Sequence, residues 1–323
     1  MDQLAAMRIF VAVAEAEGFA AAARQLASSP PAVTRAVAAL EERIGARLLL
    51  RTTRSVRLTE AGQRYLADCR RILLEIDEAE ATAAGVQAEP RGQIAMTAPV
   101  MFGRLHVAPM LLGFLDRFPE VTARLVLLDR VVDLMEEGFD VAVRIAHLAD
   151  SSQQAVKVGH VRRVICASPD YLARHGEPET PADLVHHRAV FTSPLANLRD
   201  WGFGGRGGSR IAPSAQLMVN SSDIAIAAAL EGRGLTRLLS YQIAAELRAG
   251  RIKIVLADYE PPPAPVHIMQ MEGRRPSARL RAFVDYAVEH LRADLARLDA
   301  ETSSASRPSQ PPAHTRRDVS PNR

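Results

Sequence analysis

Between Arg24 and Arg57 the chain carries seven arginines against two acids, Glu41 and Glu42, a local surplus of five positive charges. Charge gathered that tightly suits phosphate, because each cation laid on a nucleic-acid backbone releases condensed counterions. The spacing around the arginines narrows the reading. Phe19 to Leu26 is a short alanine-rich helix, Ala27-Ser-Ser-Pro30 a turn, and from Pro31 a second helix keeps Val33, Val37, Leu40 and Ile44 on one face, with Thr34, Arg35 and Ala38 opposite. Ser29 is placed to cap that helix, and Pro31 suits its first turn, where a missing N–H costs nothing. A helix buried on one side with short polar residues near its start can enter a major groove, where Arg35 reaches a guanine edge or a phosphate. Leu48 to Leu58 then reads as strand, polar turn and strand, a wing bearing Arg51, Arg54 and Arg57. The plain alternative is a helical hairpin with solvated arginines, since such hairpins are common.

A second kind of chemistry sits at two strand-to-helix junctions, Thr97-Ala-Pro99 and Asn220-Ser221-Ser222. Free N–H groups and hydroxyls at helix starts can hold a carboxylate or another small anion. Met101, Phe102 and Phe191 could supply apolar wall, and Arg144 and Arg237 counter-charge. For Thr97, ligand contact stands ahead of simple capping, while Ser221 and Ser222 fit both roles equally. Arg144 serves equally as brace or ligand contact, and Arg237 fits better as an ordinary exposed arginine. Other signals carry less. His186-His187 lacks the spaced ligands that a metal site needs, so neither metal nor cofactor is expected. The glycines from Gly202 to Gly208 are followed by no Gly-Lys-Ser/Thr and read as a mobile surface loop. No nucleophile, histidine and carboxylate set stands at a recognisable strand end, so an enzyme is not expected.

These residues need elements to hold them. At 323 residues with a net charge of +3, the chain can build two or three cored domains, and its basic character is local. Cys69 and Cys166 stand apart with no partner motif, and no signal segment or spanning run is present, so cytoplasm is the expected compartment and no membrane partner is expected. One long helix runs from its N-cap Thr59 to a stop at Pro90-Arg-Gly92. Leu58, Gly62, Tyr65, Cys69, Ile72, Ile76, Ala79, Ala83 and Val86 form a heptad seam along it that wants a partner helix, ahead of burial against the chain's own domain. Cys69 is there a small apolar filler. Beyond Gly92, strand and helix alternate: strands at Ile94–Thr97, Val121–Leu128 and Val141–Ile145, with helices at Val107–Phe118 and Val131–Gly138. A second unit starts at Val161–Ser168 and continues through Pro169–His175, Ala189–Thr192, Leu217–Asn220, the helix Ser222–Gly232 and Gly234–Leu239. Val266–Met271 and the helix Ser277–Leu295 follow, and Ser, Pro and Arg then mark a disordered tail.

The order Phe19, Ala21-Ala22-Ala23, Leu26, Ser29, Pro31-Ala-Val-Thr-Arg35, Leu40-Glu41, Ile44-Gly45, Leu48, Arg51 and Leu58-Thr59-Glu-Ala-Gly62 resembles the LysR-type transcriptional regulator family. Gly18 and Ala20 depart from it where a serine and a hydroxyl N-cap are usual, which should cost the second helix about 1 kcal/mol. Pro30 stands where glutamine is frequent, removing one base-reading amide. Downstream, Thr97 to Gly103, Leu111 to Pro119, Val132 to Leu134, Glu137 to Ile145, Ala167 to Gly176 and Trp201 resemble the family's effector domain, itself similar to type 2 periplasmic solute-binding proteins. The resemblance implies a multidomain chain: a winged helix-turn-helix at 1–58, a linker and dimerisation helix at 59–91, a two-lobed α/β domain at 92–300 and a disordered tail at 301–323. Lobe 1 would take 92–163 and 268–296, lobe 2 164–267, with a ligand cleft between them. The expected partners are double-stranded operator DNA, read as an interrupted palindrome through Ser29, Pro30, Pro31, Thr34, Arg35, Arg51, Arg54 and Arg57, and a small, anionic effector. Self-association through Tyr65, Cys69, Ile72, Ile76, Ala79 and Ala83 completes the picture, with tetramers implied by resemblance alone and RNA polymerase as a further partner. The rivals are a ligand-independent architectural DNA binder, and an enzyme or solute-binding protein whose helix-turn-helix is a packing element.

Overall fold

The computed structural model describes residues 2–51, 56–83, 89–147, 153–192, 201–203, 210–211, 213–271 and 277–304. The chain divides into two compact units, one built mainly from residues 1–93 and one mainly from the remainder.

The first unit holds helices α1 (Gln3–Glu15), α2 (Phe19–Gln25) and α3 (Pro30–Ile44), an antiparallel hairpin of β1 (Leu49–Arg51) and β2 (Val56–Leu58), and the long helix α4 (Glu60–Ala83). Ala6, Met7, Phe10 and Val13 recur at helical spacing on α1 and fill the centre of the unit, an element absent from the sequence reading. Helix α3 starts one residue earlier than expected, with both prolines in its first turn and the Ser29 hydroxyl accepting the Ala32 N–H at 3.4 Å. The missing cap therefore falls on α2, whose N-cap Gly18 offers no side chain. On α3 the buried stripe is Val33, Ala36, Val37 and Leu40, while Ile44, expected inside, is 38% exposed. It sits at the last turn, beyond the reach of the core.

Thr59 opens α4 as foreseen, its Oγ1 accepting the Gly62 N–H at 2.9 Å and donating to the Arg47 carbonyl at 2.8 Å. Gly62 is required by close approach: a Cβ there would lie 2.0 Å from the Leu48 carbonyl oxygen. The first half of α4 packs on α1, burying Leu66, Cys69 and Leu73 and half-burying Tyr65 and Ile72 in the unit's own core, with the Phe10 and Tyr65 rings 5.5 Å apart. Cys69 is thus a filler, but within its own chain and not on an open seam. Ile76 is half-buried, and Ala79 and Ala83 are exposed.

The second unit carries two five-stranded mixed sheets. In the first, of order β4-β3-β5-β14-β6, β3 (Gly92–Ala98) leads into α5 (Val100–Phe102), which runs through a π-helical turn at Gly103–Val107 into α6 (Ala108–Arg117). Then come β4 (Val121–Leu127), β5 (Val141–Ile145) and β6 (Gln153–Val161). The second sheet, of order β11-β8-β12-β7-β13, takes β7 (Arg163–Ala167), α7 (Pro169–His175), a 3-10 turn at Pro181–His186 and β8 (Arg188–Phe191). A small hairpin of β9 (Trp201–Gly202) and β10 (Arg210–Ile211) precedes β11 (Ser214–Met218), α8 (Ser222–Leu230), β12 (Leu235–Leu239), α9 (Ala244–Arg248) and β13 (Lys253–Val255). The chain returns to the first sheet as β14 (Ala264–Met271) and ends in α10 (Ala278–Ser304). Two lobes result, exchanged at Arg162 and again between Val255 and Ala264, a few residues before the expected return at 268.

Three expectations change here. Residues 131–138 form no helix: the Asp133 carboxylate takes the Met135 and Glu136 amides at 2.8 and 3.0 Å, a single turn follows, and Gly138 at φ 67° ends it. Strand β6 and helix α9 were unforeseen. Helix α10 also runs past 300, because its last turn is held inside the fold. There Arg162 donates to the Thr302 carbonyl at 3.0 Å and to Glu260 at 3.4 Å, and Arg248 pairs with Glu301 at 2.7 Å. The expected tail keeps only residues 305–323, which lie outside the described residues.

Candidate functional site

The first site is the exposed side of α3. Its buried stripe fixes the rotation of the helix, so Pro31, Arg35 and Ala38 face solvent and Thr34 is half-buried. Ser29 and Pro30 at the helix start are exposed too, which groups Ser29, Pro30, Pro31, Thr34 and Arg35 at the N-terminal end. This end carries the positive pole of the helix dipole and suits a phosphate. In the hairpin, Arg57 projects from β2 into solvent and Arg51 is the last residue of β1, while Arg54 lies outside the described residues. Sequence reasoning named Glu41 as an acid and a resembling position but gave it no role; its Oε1 accepts the Leu48 N–H at 2.8 Å and the Leu49 N–H at 3.0 Å. The signal was an acid on the last turn of a helix bound for a basic face.

The second site lies at the C-terminal ends of parallel strands β3 and β5. Thr97 pairs with Ala142 in register, so Arg144, two residues on, shares its face of the sheet. Thr97 is fully buried, and its Oγ1 has no hydrogen-bond partner in the protein. Arg144 donates Nη1 to the Val143 carbonyl at 2.9 Å and keeps a buried Nη2 without a partner. Burial lowers the pKa of this guanidinium, and Glu137 opposes the shift. Glu137 is itself held by Arg130 through bonds of 2.7 and 2.6 Å, which lowers its pKa.

Several expected members stand differently. The helix start after Pro99 is not open, since the Val100 N–H donates to Asp129 at 3.0 Å. Pro99 is half-buried and Met101 nearly buried. Phe102 forms no open wall: it is fully buried between the His106 ring at 4.8 Å and the Tyr241 ring at 5.2 Å, the latter from the other lobe. Phe191 faces its own lobe's core beside Trp201, 5.5 Å away. Ser222 accepts a hydrogen bond from Gln242 at 2.9 Å, and Ser221 is the half-buried N-cap of α8 with no side-chain cap bond. Arg237, expected in solvent, is half-buried and donates to the Gly202 carbonyl at 3.0 Å, with burial and nearby Arg163 lowering its pKa to about 10. Of the expected residues, Thr97 and Arg144 keep buried polar atoms without a partner among the described residues, and Ser221 makes no side-chain cap bond. Near Arg144 and Phe102 the structure adds Asp129, Arg130, Glu137 and Tyr241, residues from separate loops whose sequence spacing alone gave no sign of convergence.

The two lobes also touch through Arg104 and Asp223, 2.7 Å apart and exposed, a pair of the kind that contributes about 0–1 kcal/mol. His187 is buried with its Nδ1 3.2 Å from the Tyr171 hydroxyl, and burial lowers its pKa. No cluster of metal-ligating side chains occurs among the described residues.

Comparison with known proteins bears on both sites. Residues 4–63 match the bacterial regulatory helix-turn-helix protein family of lysR type, and residues 87–292 match the LysR substrate binding domain. An HTH-type transcriptional regulator of Xanthomonas campestris is 37% identical over 293 residues, covering 88% of this chain and 85% of that protein. The solved structure of CrgA, a LysR-type transcriptional regulator from Neisseria meningitidis, superposes with a TM-score of 0.57 at 31% identity, covering 89% of this chain and 98% of that one. Full-length AphB, a Vibrio cholerae virulence activator, gives 0.57 at 25% identity over 90% of this chain and 100% of its own. With both domains matched in order and relatives above 30% identity over most of its length, the chain belongs to the LysR family of transcriptional regulators.

Proposed function

We propose that this LysR-type DNA-binding regulator docks α3 in the major groove of an interrupted palindrome and answers to a small anion held between its two lobes. The observation that carries the reading is the rotation of α3: Val33, Ala36, Val37 and Leu40 are buried, which leaves Arg35 and the Ser29–Pro31 end outward. Arg35 would read a base edge and Arg51, Arg54 and Arg57 would lie along phosphates. The buried hydroxyl of Thr97 and the buried Nη2 of half-buried Arg144, neither with a partner among the described residues, would meet the effector's carboxylate or similar group, with Ser221 opposing them from the second lobe. Dimers would form through the C-terminal part of α4, where Ile76, Ala79 and Ala83 are not consumed by the head's own core. Residues Tyr65, Cys69 and Ile72 already belong to that core and only support the seam.

Among the described residues no helix is long and apolar enough to cross a membrane; a cytoplasmic protein without enzymatic turnover, with RNA polymerase as a further partner, completes the reading. Nuclease protection of genomic fragments, with and without a panel of carboxylated metabolites, tests it. The expected result is a two-part footprint whose extent changes with one metabolite. Binding without sequence preference, or turnover of any metabolite, would overturn it.

A further inference from the structure

Glu41 is an acid in the most basic stretch of the chain, and a carboxylate near DNA repels phosphate. Its position explains the exception. The carboxylate leaves α3 and accepts the amides of Leu48 and Leu49 at 2.8 and 3.0 Å, just where β1 begins. The main-chain carbonyl of the same residue takes the amides of Gly45 and Ala46 at 2.9 and 3.2 Å, folding the connection back on itself. From the opposite side Thr59 donates its hydroxyl to Arg47 and its amide to Leu48, at 2.8 and 2.9 Å. Gly62 admits the Leu48 carbonyl by lacking a Cβ. The root of the hairpin is thus clamped between α3 and α4, and from the α3 side the Glu41 side chain supplies two of the bonds.

We propose that Glu41 is a positioning residue for DNA recognition: it fixes the hairpin against α3 so that Arg35 and the hairpin arginines meet one duplex together. This rests on the DNA-reading role of α3 stated above. Glu41 itself touches no DNA; it acts through β1. Two charge-assisted bonds from a half-buried carboxylate hold a fixed geometry better than neutral ones, and the like-charge cost toward phosphate is tolerated because the group points inward.

The proposal makes a prediction opposite in sign to simple electrostatics. Removing an acid from a basic face adds positive charge and should tighten binding to any duplex. Glu42, its exposed neighbour, supplies that control. In the full-length protein, affinity is measured for a duplex that the protein protects from nuclease and for a scrambled duplex, over a range of salt, together with thermal unfolding and hydrogen exchange at Leu48 and Leu49. Glu42→Ala should bind both duplexes as tightly as the parent or more so. Glu41→Ala should bind the protected duplex on the order of tenfold more weakly, with a salt slope shallower by about one and faster exchange at the two amides. Glu41→Gln keeps a carbonyl acceptor and should recover most of the affinity, and it carries the test alone should the alanine variant not fold. Tighter binding by Glu41→Ala, in step with Glu42→Ala, overturns the proposal, as does a folded Glu41→Gln that binds as poorly as the alanine variant or, if that variant is unfolded, on the order of tenfold below the parent. If Arg35→Ala also leaves discrimination intact, the DNA-reading role of α3 has failed; if Arg35→Ala weakens binding and Glu41→Ala does not, only the positioning role has failed.

Discussion

The head and the two-lobed domain treat the polar groups at their working ends in opposite ways. In the head, Ser29 holds the Ala32 amide, Thr59 bonds to the Arg47 carbonyl and the Gly62 amide, and Glu41 takes two amides of the hairpin. In the second unit, Thr97 Oγ1, His106 Nε2 and Arg144 Nη2 are buried with no hydrogen-bond partner among the described residues, and no such atom occurs among the described residues of α1 to α4 and the hairpin. A buried group left unpaired costs about 1–3 kcal/mol, so a domain that keeps several of them gives up stability. On the reading proposed above, the DNA-binding geometry is set before the head meets DNA, whereas Thr97 and Arg144 would be completed by another molecule.

The largest effect should come from the head's tightest approach. Gly62→Ala drives a methyl group to 2.0 Å from the Leu48 carbonyl oxygen, which is backbone and has no rotamer to yield. The hairpin or α4 must shift, at about 3 kcal/mol or more. Thermal unfolding should show the first unit melting early while the second keeps its transition. An unchanged first transition would mean that the head is more plastic than its hydrogen bonds imply.

Self-association comes next. Ile76→Glu places a charge at the point where α4 passes out of the head's core, and pairing would have to desolvate it at a cost of several kcal/mol. Sedimentation should show monomers with both units folded and operator binding greatly weakened. A variant that stays dimeric with normal binding puts the interface elsewhere.

A smaller effect separates specificity from attraction within the head. Arg35→Ala should lower the preference for operator over scrambled DNA by about 1–3 kcal/mol. Arg57→Ala should weaken both duplexes alike and reduce the salt slope by about one. Parallel titrations decide, and equal losses on both duplexes for Arg35→Ala would reassign it to a phosphate.

How much of this was legible in the sequence follows the same division. The face of α3 and the Thr59 cap could be read because local rules set them: a 3.6-residue period, prolines in a first turn, a hydroxyl before a helix. Helix α1 escaped because alanine and valine surround it nearly evenly, so that Ala6, Met7, Phe10 and Val13 do not stand out. Residues 131–138 mimic a helix through Val131, Val132, Leu134 and Met135, yet Val131 is 91% exposed and Asp133 closes the turn on itself. Arg237 and Phe191 were misjudged for a different reason. Their surroundings are supplied by Gly202 and Trp201, which lie outside the strands that carry them, and no local pattern announces such a contact.

The smallest effects on stability give the most direct comparison of the two regions, because one hydroxyl is removed from each. Ser29→Ala deletes an acceptor that satisfies an amide of α3, and a lost N-cap of this kind costs about 1 kcal/mol. Thr97→Val deletes a buried hydroxyl that satisfies nothing in the protein and replaces it with a methyl group of the same shape. Without effector the second change should leave stability equal or slightly raised, since it removes an unpaired group. With effector the order reverses: if Thr97 donates to an anion, Thr97→Val should weaken the response by about 1.5–3 kcal/mol, on the order of tenfold to a hundredfold in effector concentration. Ser29→Ala should leave effector affinity alone. Chemical unfolding of both variants and a dose response of operator occupancy measure the four numbers. A Thr97→Val protein that loses as much stability as Ser29→Ala, yet responds like the parent, would show that the Thr97 hydroxyl belongs to the fold and would move the effector away from the end of β3.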